Sequence, residues 1–162
     1  MMGKLLLIVL AVTLVATFIN GDEVLNIGGR DYFIGSSGMG VPWHTASERC
    51  RIANMQLISF ETQEKWELIR STLMATEHRW LNFWTSGARV DGTWMWTGRA
   101  HEIKFFAWGT SEPDAGENCL EMHGFDSEFW HSYPCTTESH YMCEYPVCCD
   151  LGPPASPDPL LN

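Results

Sequence analysis

The sequence has few basic residues and lacks the paired-cysteine spacing of a zinc ribbon. Lysine and arginine together number 10, against 20 aspartate and glutamate residues, which gives a formal net charge of −10. Because nucleic-acid binding requires clusters of basic side chains, this balance argues against a nucleic-acid partner. No Cys-x-x-Cys pair occurs, so a zinc ribbon is not expected either.

Motifs of common enzymes are also missing. The chain contains no Gly-x-Ser-x-Gly, no His-Glu-x-x-His and no phosphate-binding loop. Glu112, Asp114 and Glu117 could imitate a pair of catalytic carboxylates. Clustered acids in an open loop more often hold a cation or only water, so we expect a binding protein rather than an enzyme.

Only one long apolar run is present, and it lies near the N-terminus. Lys4 precedes the 15-residue apolar stretch Leu5–Ile19. This pattern is typical of a signal peptide, and we place its end at Gly21. The stretch is short for a membrane span, which needs about 20 apolar residues, so an uncleaved anchor is the weaker alternative. We therefore expect a secreted, extracellular protein whose mature form has no membrane span.

The six cysteines would then meet an oxidising compartment. An even number of cysteines in a secreted chain indicates disulfide bonds, although spacing alone does not choose among the many pairings. Cys148 and Cys149 are neighbours, and neighbouring cysteines bond to each other only in a strained ring. They could instead join two chains into a disulfide-linked dimer, or find partners elsewhere in the chain.

The chain divides into three parts. Residues 1–21 form the predicted signal peptide. Residues 22–145 contain the aromatic and apolar residues that a core needs, so we expect one globular domain there. Residues 146–162 contain five prolines and the Cys148-Cys149 pair, which predicts a mostly unstructured tail.

Local patterns predict two helices followed by short strands, which is an α+β arrangement. Thr45 and Glu48 fit a capping box that would open the first helix, and Asn54 would end it. Thr62 is the predicted N-cap of a second helix that runs to about Ala75. Segments rich in β-branched and aromatic residues predict strands at 31–34, 57–60, 83–87, 94–96, 119–123, 128–131 and 141–145.

Residues 98–118 are rich in glycine, proline and acids, which predicts a long loop before the last strands. With this loop in place, motifs follow one another in a definite order: a helix bearing Cys50, a second helix, Phe83-Trp84-Thr85-Ser86-Gly87, Trp94-Met95-Trp96, Phe105-Phe106-Ala107-Trp108, Glu112-Pro113-Asp114, Glu117-Asn118-Cys119-Leu120-Glu121, Trp130, Cys135 and Tyr141-Met142-Cys143-Glu144. In this order of motifs, residues 30–146 resemble the C-type lectin-like domain, particularly the single-domain secreted lectins of arthropods.

The resemblance implies a fold of two helices and short antiparallel strands with a long loop, held by two disulfide bonds, Cys50 with Cys143 and Cys119 with Cys135. It also implies a ligand site on the long loop and the last strands. In that family a calcium ion is bound by residues on each side of a cis-proline and by a glutamate shortly after it. The corresponding residues here are Glu112, Asp114 and Glu117, all of which carry the oxygens that calcium prefers.

Two departures from the family pattern affect this site. The triplet Glu112-Pro113-Asp114 mixes the mannose-type Glu-Pro-Asn with the galactose-type Gln-Pro-Asp, so it offers acceptors and no amide donor. After Trp130 the family's Asn-Asp pair is replaced by His131-Ser132, which removes two oxygen ligands. Calcium takes about six to eight oxygens, so we expect weak calcium binding or none.

Several alternatives stay open for the site. His131 and Ser132 could contact a sugar together with the three acids, and His131 could recruit zinc beside Glu112 or Glu117. Trp108 and Trp130 could stack on a sugar, although core packing is the commoner role of such rings.

We expect recognition of glycans or glycoproteins in defence against microbes, adhesion or matrix. The alternative is a lectin-like domain that has lost sugar binding and acts as a protein-binding or structural module.

Overall fold

The computed structural model describes residues 23–35, 38–124 and 129–146. The predicted signal peptide and the tail with Cys148-Cys149 therefore lie outside the described residues. None of the helices within these ranges has the length and the apolar character that crossing a membrane requires.

Two α-helices and nine strands make up the described chain. The helices are α1 at Trp43–Ile52 and α2 at Gln63–Met74, and a 3-10 helix follows at Glu77–Trp80. The strands are β1 Glu23–Ile27, β2 Arg30–Gly35, β3 Gln56–Leu57, β4 Phe83–Val90, β5 Thr93–Trp96, β6 His101–Glu102, β7 Cys119–Met122, β8 Trp130–Tyr133 and β9 His140–Glu144. This order confirms the predicted α+β class.

Strand β9 lies in the middle of the sheet. It pairs antiparallel with β2 and with β3, and parallel with β4. The antiparallel hairpin of β7 and β8 joins the sheet through pairing of β7 with β4. The sheet is thus mostly antiparallel, as predicted. The parallel pairing of β4 with β9 was not predicted.

Aromatic rings fill the core between α2 and the sheet. Trp130 is fully buried, and the rings of Phe60, Trp66 and Trp96 lie 5.5–5.8 Å from it, centroid to centroid. Contacts of this kind bury a large apolar area and favour one geometry. Because Trp130 begins β8, its burial fixes the position of the next two residues, which belong to the candidate site.

Both disulfide bonds that the resemblance implies are present. Cys50 on α1 is bonded to Cys143 on β9, and Cys119 on β7 is bonded to Cys135, which follows β8. The first bond joins a helix to the central strand. The second ties together the ends of the β7–β8 hairpin.

The first helix begins earlier than the sequence predicts. Its first residue is Trp43, its N-cap is Pro42, and no side chain caps it, so the capping box at Thr45 is wrong. Glu48 pairs with Arg51 instead of reaching back to the helix start. Trp43 is buried and its indole nitrogen donates to a carbonyl of β4. Packing against the sheet therefore decides where α1 starts.

The other predicted helix boundaries are confirmed. Asn54 follows α1 with a positive φ of 56°, the left-handed conformation expected at a helix exit. The Thr62 hydroxyl accepts a hydrogen bond from the Lys65 amide at 3.2 Å and caps α2. These two helix ends are determined by the residue types at the ends themselves, which can be read directly from the sequence.

Replacing the two threonines distinguishes a true cap from an apparent one. We expect Thr62→Ala to lower the free energy of unfolding by about 1 kcal/mol, because the amide of Lys65 loses its acceptor. The matched control is Thr45→Ala, which removes an exposed threonine that caps nothing and should leave stability within about 0.5 kcal/mol. Urea unfolding measures both. Equal losses would contradict the assignment.

Strand boundaries differ from the predictions where pairing extends or moves them. Strand β4 continues to Val90 because Asp91-Gly92, both with positive φ, form a tight turn that pairs it with β5. The strand predicted at 128–131 lies at 130–133, in register with β7, and residue 128 is outside the described chain. Strand β6 falls inside the predicted loop because its two residues pair with β5.

Candidate functional site

The long loop between β6 and β7 is anchored to β8 by backbone hydrogen bonds. The Trp130 amide donates to the Ala107 carbonyl at 2.8 Å, and the Gly109 amide donates to the Trp130 carbonyl at 2.9 Å. The Glu112 amide then donates to the Gly109 carbonyl at 3.2 Å and closes a turn. This turn brings the loop's acidic residues against β8.

Glu112 uses both carboxylate oxygens in contacts with β8. Oε2 accepts hydrogen bonds from the backbone amide and from the hydroxyl of Ser132, both at 2.9 Å. Oε1 lies 2.9 Å from Nδ1 of His131. The Glu112-Pro113 peptide bond is cis, as the resemblance implies. His131 and Ser132, which replace the family's Asn-Asp pair, therefore contact both oxygens of this carboxylate.

Ser132 joins three positions of the loop. Its buried hydroxyl oxygen accepts from the Asp114 amide at 2.8 Å and lies 3.1 Å from Oε2 of Glu117, in addition to its contact with Glu112. A hydroxyl carries one proton, so the two glutamates share it. The side chain of Asp114 is exposed, and it is the backbone of this residue that enters the cluster.

The predicted site residues thus lie close together, on the loop and on β8. Within residues 23–35, 38–124 and 129–146, no three histidine, cysteine, aspartate or glutamate side chains are gathered so that they could hold one ion. Glu112, which the resemblance places among the calcium ligands, has both oxygens engaged in hydrogen bonds to the protein. Of the three predicted calcium ligands, Glu112 and Glu117 are half-buried and Asp114 is exposed.

Three stacked rings lie beside this cluster, on the outer face of the β7–β8 hairpin. The ring of His123 lies 4.1 Å from that of His131 and 5.5 Å from that of Tyr133, nearly parallel to both. Nε2 of His123 also lies 2.7 Å from Oε2 of the buried Glu121. The sequence analysis missed His123 and Glu121. Because they are two positions apart at the end of a predicted strand, their side chains were predictable on the same face of the sheet.

The two partners of the His131–Glu112 pair differ in charge at neutral pH. Burial raises the pKa of the Glu112 carboxyl, but the hydrogen bonds from Ser132 and the proximity of His131 outweigh it, so the net pKa is lowered. Burial and the neighbouring His123 lower the pKa of His131. The site therefore holds an ionised glutamate and a neutral imidazole, which must carry its proton on Nδ1 to donate to Glu112.

The tryptophans considered for sugar stacking have different environments. Trp130 is fully buried in the core, so the alternative in which it contacts a sugar is wrong. Trp108 is half-buried between the ring of Trp94, at 5.0 Å, and the exposed ring of Phe106, at 6.0 Å. Core packing is therefore the main role of both tryptophans.

This fold is that of a C-type lectin domain. The lectin C-type domain family matches residues 40–145, more than half of the chain, and the chain belongs to this family. A curated relative, C-type lectin 37Da of Drosophila melanogaster, is 33% identical over 119 residues. The match covers 65% of this chain and 63% of the relative, so it spans less than two thirds of the relative's length.

Solved structures show the same fold. The cow C-type carbohydrate-recognition domain of CD23, solved in the presence of an oligosaccharide, superposes with a TM-score of 0.61 at 22% identity, over 78% of this chain and 95% of that one. A Ca2+-dependent type II antifreeze protein in its Ca2+-free form gives 0.61 at 21% identity, over 74% and 94%. Proteins with different ligands share this fold, so the fold alone does not specify what this chain binds.

Proposed function

We propose that this protein is secreted and recognises glycans outside the cell through the loop–β8 site. The observation that carries the proposal is the cluster of Glu112, Asp114 and Glu117 around Ser132, at the surface of a C-type lectin domain. The exposed carboxylate of Asp114 and the half-buried one of Glu117 can accept hydrogen bonds from sugar hydroxyls. The apolar stretch at residues 5–19 supports secretion.

The site geometry supports binding rather than catalysis. A serine nucleophile needs a base that takes its proton. The group that accepts from the Ser132 hydroxyl is the Glu112 carboxylate, and its lowered pKa makes it a weak base. Nδ1 of His131 donates to the other oxygen of Glu112, so the imidazole is directed to the carboxylate and not to the hydroxyl.

A second candidate function is recognition of a protein, or a structural role, by a domain that has lost sugar binding. The occupied carboxylate of Glu112 favours this alternative, because a sugar would have to displace hydrogen bonds from Ser132 and His131. A disulfide-linked dimer through Cys148 or Cys149 stays a prediction, since both lie outside the described residues. Linked sites would raise the avidity of either function.

A glycan array distinguishes these functions. We expect retention of the protein on a subset of glycans, with the same signal in calcium and in a chelator. Asp114→Ala should reduce retention about tenfold, because the loss of one acceptor at such a site costs about 1–3 kcal/mol.

The matched control for the array is Glu67→Ala, which removes an exposed carboxylate from α2 and should leave retention unchanged. Retention that disappears in chelator would contradict recognition without metal. No retention under either condition would contradict glycan recognition and favour a protein ligand.

A further inference from the structure

We infer that Ser132 and His131 form a latch that positions the long loop on β8 without a metal ion. The latch consists of these two residues and the three loop residues that they hold, Glu112, Asp114 and Glu117. The inference concerns the site of the proposed function, but it does not require that a glycan binds there.

Ser132 is the central group of the latch. One buried oxygen atom has three loop groups within 2.8–3.1 Å: the Glu112 carboxylate, the Asp114 amide and the Glu117 carboxylate. These groups span six residues of the loop, so a single side chain contacts the segment at both ends and between them. Ser132 is fixed in turn by its pairing with Leu120 across the hairpin.

The latch places hydrogen-bond donors at the positions where a cation would require oxygen ligands. The amide and hydroxyl of Ser132 and Nδ1 of His131 all approach the carboxylate of Glu112. Donors of this kind satisfy the negative charge of Glu112, and their positive ends repel a cation. In this arrangement the site residues do not fit calcium.

Gly109 makes room for the histidine of the latch. A Cβ atom at this position would lie 2.7 Å from Nε2 of His131, closer than such atoms approach in proteins. The imidazole also stacks on the ring of His123. The ring is therefore confined by both neighbours, which keeps Nδ1 beside Oε1 of Glu112.

Hydrogen exchange of the Asp114 amide tests the latch. This amide donates to the Ser132 hydroxyl. Ser132→Ala removes the acceptor, so we expect the amide to exchange about tenfold faster. Ser132→Thr retains a hydroxyl and should keep most of the protection. The matched control is Ser139→Ala, because the buried Ser139 donates to the Asn82 carbonyl, outside the latch, and its loss should leave exchange at Asp114 unchanged.

The measurement is repeated on the wild-type chain in chelator and in millimolar calcium, and equal protection is expected. Unchanged exchange in Ser132→Ala would overturn the inference, and so would slower exchange in calcium. If Ser132→Ala does not fold, the inference is tested by the other two measurements. Loss of the Asp114 protection in Ser132→Thr, or slower exchange of the wild-type chain in calcium, would then overturn it. Protection of Asp114 with no glycan retained on the array would contradict the proposed function and leave the latch in place.

Discussion

Replacing Cys50 and Cys143 together by alanine is expected to lower the free energy of unfolding by about 4–5 kcal/mol. The bond closes a segment of 93 residues, and the entropy that a crosslink removes from the unfolded chain grows with the logarithm of that length. For a domain of this size the midpoint of thermal unfolding should fall by roughly 15 °C. Calorimetry under non-reducing conditions measures the change.

The second disulfide provides the control for this experiment. Cys119 and Cys135 are 16 residues apart, so their replacement by alanine should cost about 3 kcal/mol. The order of the two losses is the test, since both variants remove one crosslink. A larger loss from the shorter loop would show that stabilisation of the hairpin, and not the entropy of the unfolded chain, determines the contribution of these bonds.

Calcium binding is expected to appear in the H131N/S132D variant. The substitutions remove the imidazole and hydroxyl donors that occupy Glu112 and introduce an amide oxygen and a carboxylate. Weak calcium sites of extracellular modules have dissociation constants of about 10⁻⁴–10⁻³ M. At ten times the dissociation constant, binding would stabilise the domain by about 1.4 kcal/mol, which raises its unfolding midpoint by about 5 °C.

Thermal unfolding in calcium and in magnesium measures this gain. The wild-type chain should respond to neither ion, and the single variant S132D should respond less than the double variant because His131 still donates to Glu112. A folded double variant without a calcium response would mean that the loop carboxylates do not converge once the latch is removed.

Helix and strand boundaries agree with the predictions from the sequence where neighbouring residues determine them. They differ from the predictions where contacts between distant segments determine them. The cap at Thr62 and the exit at Asn54 are set by neighbouring residues, and both predictions are confirmed. The start of α1 is set by Trp43, whose packing against β4 overrides the capping box at Thr45. The register of β8 is likewise set by its partner β7, which moves the strand by two residues.

The site was predictable as a set of residues but not as a set of contacts. Family resemblance brings Glu112, Glu117, His131 and Ser132 to attention, and the structure places all four together. That Ser132 takes the central place depends on the turn at Gly109 and on the hairpin register, which join residues about 20 positions apart. No pattern within one segment contains that information.

The central position of β9 has a consequence for the chain during its synthesis. Strand β9 comes after β2, β3 and β4 in the sequence and pairs with all three. Until the ribosome has released residues through Glu144, these strands have no common neighbour, and their edges stay open to other polypeptides. A nascent chain stalled before His140 therefore exposes these unpaired edges together with the face of α1 that packs on β9, which is the kind of surface that chaperones bind.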